Sequence, residues 1–326
     1  MRRRQKPDTA WVILAWGLNL IGLVLLASVG VAYLALNPVH AAPQMPNPDP
    51  STELSLPATS TWVPAGVYYL PTITPNPRST MIVVQTPTPF VLTGGNRPLV
   101  IGFSVSGRPI EVYTFGNGPN RRMIVAGIHG GYEWNTIALA DELITHINEH
   151  PEVIPNDSTL YILRNLNPDG DARDHGIDGR VNDHGVDLNR NFPTNWAADW
   201  DRDGCWNYGP TTGGTSPASE PETRALMTFL QSHRVQVLIS YHSAALGIFP
   251  GGEPWEQKSI EFAEKLSAVT YYPFPPIDTG CKFTGTLADY AVSLGAVSVD
   301  MELATHKYTD FTRNLRALEL LLEWNP

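Results

Sequence analysis

The sequence predicts an α/β domain built on a mixed, largely parallel central sheet with helices on both faces, preceded by a transmembrane helix and a proline-rich linker. Three observations carry this reading. Beyond Leu99, short apolar runs alternate with longer amphipathic stretches, the pattern of strands feeding crossover helices. Between Asn37 and Pro98 lie thirteen of the chain's 29 prolines, among many Thr and Ser, a composition that favours extended chain over packed structure. From Trp11 to Leu36 the chain is uncharged and almost wholly apolar, with Asn19 its only strongly polar side chain.

Residues 1–10 form a basic tail containing Arg2, Arg3, Arg4 and Lys6, which is expected to stay in the cytoplasm and direct the rest of the chain outward. Residues 11–36, at a rise of about 1.5 Å per residue, are long enough to cross a bilayer. A single-pass membrane protein with an extracytoplasmic domain is the expectation. The small residues at Val39-His40-Ala41, followed by Ala42, offer cleavage near Ala41 and secretion as the alternative, although the apolar run exceeds a usual signal core. Residues 37–98 read as a stalk and 99–326 as one folded domain. Within that domain Ile110 to Phe115, Met123 to Ala126, Thr159 to Leu163, Val235 to Ser240 and Ala296 to Met301 are expected strands. Trp134 to Ile147, Glu220 to Ser232, Pro254 to Val269 and Asp310 to Trp324 are expected helices.

A formal charge of −10, with no basic stripe outside the N-terminus, argues against a nucleic-acid partner. Cys205 and Cys281 are the only two cysteines. An exported chain can keep them oxidised, and a bridge would brace segments that flank the motifs described next; two unpaired buried thiols are the other reading.

The most informative stretch is Gly185-Val186-Asp187-Leu188-Asn189-Arg190-Asn191-Phe192-Pro193. It sets the amide of Asn189 beside the guanidinium of Arg190 in a segment too polar for a core, a ready receptor for a carboxylate such as the free C-terminus of a peptide. His129 and Glu133, in His129-Gly130-Gly131-Tyr132-Glu133, and His242, in Ser240-Tyr241-His242-Ser243, supply two imidazoles and a carboxylate. That is a frequent ligand set for one catalytic Zn²⁺, which accepts both donor types and keeps a position open. Asp199-Trp200-Asp201-Arg202-Asp203-Gly204 spells the first half of an EF-hand-like loop, but Pro210 stands where its glutamate belongs, so Asp199, Asp201 and Asp203 read either as a calcium site or as a solvated acidic loop. His175 and His184, in two Asp-His-Gly repeats beside these motifs, are not assigned to zinc.

Taken in order with Asn167-Pro168-Asp169-Gly170, Arg180 and Asp300-Met301-Glu302-Leu303, these segments resemble the M14 zinc carboxypeptidase family from about Ser104 to the C-terminal helix. The family usually spaces its first pair as H-x-x-E, whereas His129 and Glu133 are H-x-x-x-E. The resemblance implies that Glu302 is the general base acting on a zinc-activated water and that Arg180 polarises the scissile carbonyl. Asn189 and Arg190 would hold the substrate carboxylate. It places Leu287 at the floor of the specificity pocket, implying an apolar terminal residue, while Glu253 from another loop would favour a basic one. Gly280 falls where many carboxypeptidases carry a mobile tyrosine, and the absence of that tyrosine resembles the murein-peptide amidase branch. The implied activity is hydrolysis of a peptide or cell-wall peptide next to a free C-terminus. The alternatives are a murein-peptide amidase, an aspartoacylase-like deacylase of N-acyl amino acids, and a non-catalytic module that binds C-termini.

Overall fold

The computed structural model describes residues 97–326 apart from Ala245. The basic tail, the apolar span at 11–36 and the linker up to residue 96 lie outside the described residues. No helix among the described residues is long and apolar enough to cross a membrane.

The strands are β1 (Leu99–Phe103), β2 (Pro109–Gly116), β3 (Asn120–Val125), β4 (Ser158–Leu163), β5 (Val237–Ser243), β6 (Ile248–Pro250) and β7 (Val297–Leu303). They form one sheet in the order β1-β2-β4-β3-β5-β7-β6. The four central strands β4, β3, β5 and β7 are parallel, and β1, β2 and β6 add antiparallel edges. Every residue of β4 and β5 is buried, as a strand covered on both faces requires.

The α-helices are α1 (Trp134–Glu149), α2 (Pro168–Arg173), α3 (Pro221–His233), α4 (Gln257–Thr270), α5 (Leu287–Ser293) and α6 (Phe311–Glu323). One face of the sheet packs Ile239, Val299 and Met301 against Leu143 of α1, Phe262 of α4 and Leu321 of α6. The other packs Val125 and Leu238 against Leu226 of α3 and Leu287 of α5. Helix α4 starts at Gln257 rather than at Pro254, because the Glu256 carboxylate caps it by accepting from the backbone N–H groups of Lys258 and Ser259. The three-residue β6 and the short α2 and α5 have too few residues to show a period in sequence. The buried guanidinium of Arg122 on β3 donates to the carbonyls of Leu321 (3.0 Å) and Trp324 (2.9 Å), closing the C-terminal end of α6.

Two features prepare the functional site. The parallel strands all end on one side, and β5 and β7 run in register there, with Ser240 opposite Asp300 and His242 opposite Glu302. Alternation then sends these four side chains to one face while Tyr241 and Met301 enter the core. Cys205 and Cys281 form a disulfide, with Cα atoms 4.7 Å apart, that joins two loops beside the strand ends across 76 residues. Replacing both cysteines by serine is expected to lower the unfolding free energy by up to about 4 kcal/mol in the chain-entropy picture, read as a lower urea midpoint for the double variant.

Candidate metal centre and substrate cleft

His129 leaves the end of β3 and stands at the start of a 3₁₀ turn, Gly130–Glu133, that leads into α1. The additional residue between His129 and Glu133 is taken up in this turn. Gly130 adopts φ +47°, where an added Cβ would lie 2.7 Å from the Gly179 carbonyl oxygen, so the turn depends on glycine. The result is that His129 Nδ1 lies 2.7 Å from Glu133 Oε1 despite the longer spacing. His242, from the end of β5, places its Nδ1 3.1 Å from Glu133 Oε2 and 3.3 Å from His129 Nδ1. Donor atoms of the three buried residues lie within 4.8 Å of one another. Two imidazole nitrogens and one carboxylate that converge in this way fit Zn²⁺ and leave a coordination position for a further ligand.

The far side of each ring is engaged. His129 Nε2 meets Asp187 Oδ1 at 3.0 Å, and His242 Nε2 meets Ser240 Oγ at 3.1 Å and Asn189 Nδ2 at 3.3 Å. These contacts fix ring orientation and leave Nδ1 of both rings facing Glu133. Asp187, which the sequence reading left without a role, also accepts from Arg180 Nε (3.0 Å) and from the Asn189 backbone N–H (3.0 Å). The signal was available, since it sits two residues before Asn189 in the most informative motif, but its partners are 7 and 58 residues away.

The electrostatics follow from burial and proximity. Burial alone would raise the Glu133 carboxyl, yet the His129 and His242 rings hold it well below the usual carboxylate range. Asp187 is likewise held down against burial by Arg180 and His129. His242 is raised well above the usual histidine value, because the carboxylates of Asp300 and Glu133 outweigh desolvation. Glu302 behaves oppositely: burial, and then the Glu133 carboxylate, push its carboxyl up to about 8. Its Oε2 is enclosed and without a hydrogen-bond partner.

His129, Glu133, His242 and Glu302 line one cleft of about 370 Å³. Arg180 reaches it with NH1 3.5 Å from Glu133 Oε1 and its guanidinium 4.7 Å from the Trp206 ring. Arg190 is buried between Trp200 and Phe283, donates from NH1 to the Asn189 carbonyl, and leaves Nε unpartnered. Asn189 lines the cleft as well, but its amide is already engaged: Oδ1 accepts from the Leu287 N–H at 2.8 Å, and Nδ2 faces His242 and Asp300. Glu253 stands exposed at the rim, and both disulfide cysteines line the wall.

Two expectations are corrected. Leu287 is fully buried in the core beneath α5 and does not reach the cleft; its neighbours Thr286, Ala288 and Asp289 do. Calcium finds no support at Asp199, Asp201 and Asp203. The Asp199 carboxylate is taken by Arg202, Asp201 caps the Asp203 N–H, and among the described residues the convergent ligand set is the His129, Glu133 and His242 group. His175 and His184 bond to Asp171 and Glu220, away from that set.

A family model for zinc carboxypeptidases, Peptidase_M14, matches residues 96–317. Mast cell carboxypeptidase A of Homo sapiens is 27% identical over 231 residues, covering 60% of this chain and 54% of that protein. The chain spans 16% to 54% of the length of the curated relatives it matches. Among solved structures, murein-tripeptide amidase MpaA from Escherichia coli O157 is similar with a TM-score of 0.54 and 22% identity, over 73% of this chain and 95% of that one. Carboxypeptidase A from Helicoverpa armigera is similar with a TM-score of 0.57 and 19% identity, over 69% and 68%. At these identities the structural likeness speaks for the fold.

Two outcomes are expected of the metal centre. Asp187→Asn should weaken zinc binding by about 10- to 100-fold, measured by competition with a chromogenic chelator, because the His129 ring loses its orienting carboxylate. Zinc uptake near neutral pH should release protons, since the raised His242 must lose one to ligate, and affinity should fall as the pH is lowered. Calorimetry in buffers of different ionisation enthalpy reads the proton count.

Proposed function

The chain belongs to the zinc carboxypeptidase family, and on that premise we propose that it is a metallopeptidase that hydrolyses the amide bond next to a free C-terminal carboxylate. One observation carries this reading. A buried His-Glu-His triangle shares a cleft with a carboxylate oxygen, Glu302 Oε2, and a guanidinium nitrogen, Arg190 Nε, that are both enclosed and without a partner. Buried polar atoms without partners are rare unless a ligand completes them.

In this mechanism His129, Glu133 and His242 hold zinc, which supplies Lewis-acid polarisation when bound. The substrate carboxylate docks on Arg190, whose guanidinium lies 5.3 Å from the Trp200 ring and 5.1 Å from the Phe283 ring; Asn189 supports it by tying the 188–190 turn to α5 rather than by offering a free amide. Glu302 takes the proton of the attacking water and passes it to the leaving nitrogen, a task suited to an enclosed carboxylate whose Oε2 has no hydrogen-bond partner. Arg180, held by Asp187 and stacked on Trp206, presents fixed positive charge to the oxygen where negative charge develops.

The domain works outside the membrane, anchored by the segment Trp11 to Leu36 or released near Ala41; the basic flank and apolar run support this placement. Protein C-termini are the first substrate class and cell-wall peptides the second. The second is favoured by Gly280, which lies between the cleft-lining Thr279 and Cys281 and brings no side chain into the cleft.

The zinc-loaded protein should release C-terminal residues from a mixed peptide pool. Glu302→Gln should lower kcat by about 10²- to 10⁴-fold while zinc content stays near one per chain. Arg190→Met should act mainly on KM, raising it about 10- to 100-fold for substrates with a free carboxylate and little for their amidated forms. Turnover of muropeptides or N-acyl amino acids alone would select the amidase or deacylase reading, and a Glu302→Gln variant as active as the native chain would sink the mechanism.

A further inference from the structure

Arg180 and Asp187 are seven residues apart and share an ion pair, with Arg180 Nε donating to Asp187 Oδ2 at 3.0 Å. Between them the chain has to turn back, and residues 182–186 make the reversal. The Asn182 N–H donates to the Val186 carbonyl and the Gly185 N–H to the Asn182 carbonyl, each at 3.0 Å, with Gly185 at φ +75° where a side chain would be strained. Asn182 Oδ1 accepts from the N–H groups of His184 (3.0 Å) and Val186 (3.1 Å), so the same residue closes the turn with its side chain as well. Its Nδ2 donates to Glu220 Oε2 at 2.7 Å and to Glu222 Oε2 at 3.2 Å. Every hydrogen-bonding position of this amide is filled, and the two backbone N–H groups on its oxygen exclude the flipped orientation.

Both glutamates are buried at the start of α3 and are held from other directions too. Glu220 accepts from Ser219 Oγ at 2.6 Å and lies 2.7 Å from His184 Nδ1. Glu222 Oε1 accepts from the Val105 N–H at 3.0 Å, in the turn between β1 and β2. Burial pushes the Glu222 carboxyl up, and the Val105 and Asn182 donors only partly oppose it. An aspartate at 182 would keep the shape of the side chain, turn its donor into an acceptor and set a third carboxylate against this pair. We propose that Asn182, which does not line the cleft, is a positioning residue: it clamps the 182–186 turn to Glu220 and Glu222 and so sets where Arg180 and Asp187 stand. The effect reaches the metal centre because Asp187 also meets the His129 ring. The proposal rests on the metallopeptidase reading for the task given to Arg180.

The test exchanges donor and acceptor. Asn182→Asp should lower kcat about 10²-fold and leave KM within about threefold, because Arg180 acts on the transition state and Arg190 on the bound carboxylate. Through Asp187 and His129 it should also weaken zinc binding about tenfold, measured by chelator competition with no substrate present. In the double variant with Glu220→Gln, the new amide can donate to the aspartate and to His184 while its oxygen still accepts from Ser219. That variant should regain at least about tenfold in kcat and most of the zinc affinity, and Glu220→Gln alone completes the cycle. If the aspartate variant does not fold, Asn182→Ala, which adds no charge, takes its place and should show the same split at about tenfold. Native kcat and zinc affinity in Asn182→Asp, a double variant no better than the single one, or a lower melting temperature with both readouts unchanged would each overturn the assignment. A native chain that releases no C-terminal residue while zinc affinity follows this pattern would sink the carboxypeptidase reading and leave Asn182 as the clamp of the metal centre.

Discussion

The centre of this molecule depends on one buried carboxylate. Asp187 has no exposed face, and its two oxygens serve the His129 ring, the Arg180 guanidinium and the backbone of the turn that carries Asn189 and Arg190. A charge so placed is tolerable only when paired and hydrogen-bonded throughout, and these partners satisfy it. Because they are a member of the candidate metal triangle, the cation of the proposed oxyanion site and the turn proposed to meet the substrate, satisfying Asp187 also sets the geometry of all three. The preorganisation that the proposed mechanism needs and the removal of a buried-charge penalty are here the same set of contacts.

The remaining charges of the cleft make sense around that fixed point. Glu133 is stabilised as an anion by two imidazoles, whereas Glu302, paired in register with His242, is pushed up by burial and then by Glu133 more than His242 and Arg180 bring it down. These two carboxyls are therefore driven in opposite directions, one towards the anion that the candidate metal site needs and the other towards the proton carrier of the proposed mechanism.

The sheet and the disulfide divide the work of holding this arrangement. The parallel strands supply rigid attachment: β5 and β7 deliver His242, Asp300 and Glu302 to one face in register, backed by an apolar core on the other. The rim is loop, and there the Cys205–Cys281 bridge ties the loop bearing Trp206 to the loop bearing Phe283. Those rings cover Arg180 and Arg190, so the bridge keeps an aromatic lid over each cleft arginine. This role extends the bracing expected from the positions of the two cysteines.

What the sequence determined by itself was set by local chemistry. The five expected strands and four expected helices all form, because a run such as Val237 to Ser243 or an amphipathic stretch such as Trp134 to Glu149 encodes its own burial. The ligand trio was also legible, since two histidines and a glutamate at the ends of such elements have few structural uses. Tertiary structure alone decided which face each residue of a short helix presents. Helix α5 spans seven residues, too few for periodicity to place Leu287 in the core and Asp289 in the cleft, and a position counted from Glu302 could not reveal the turn of that helix. It also decided that the Asn189 amide serves its own protein, that the Asp199 carboxylate prefers Arg202, and that Asp187 anchors the centre. Each of these outcomes turns on a hydrogen bond or ion pair whose partner is chosen by how the loops meet, and a linear reading contains the partners without their distances.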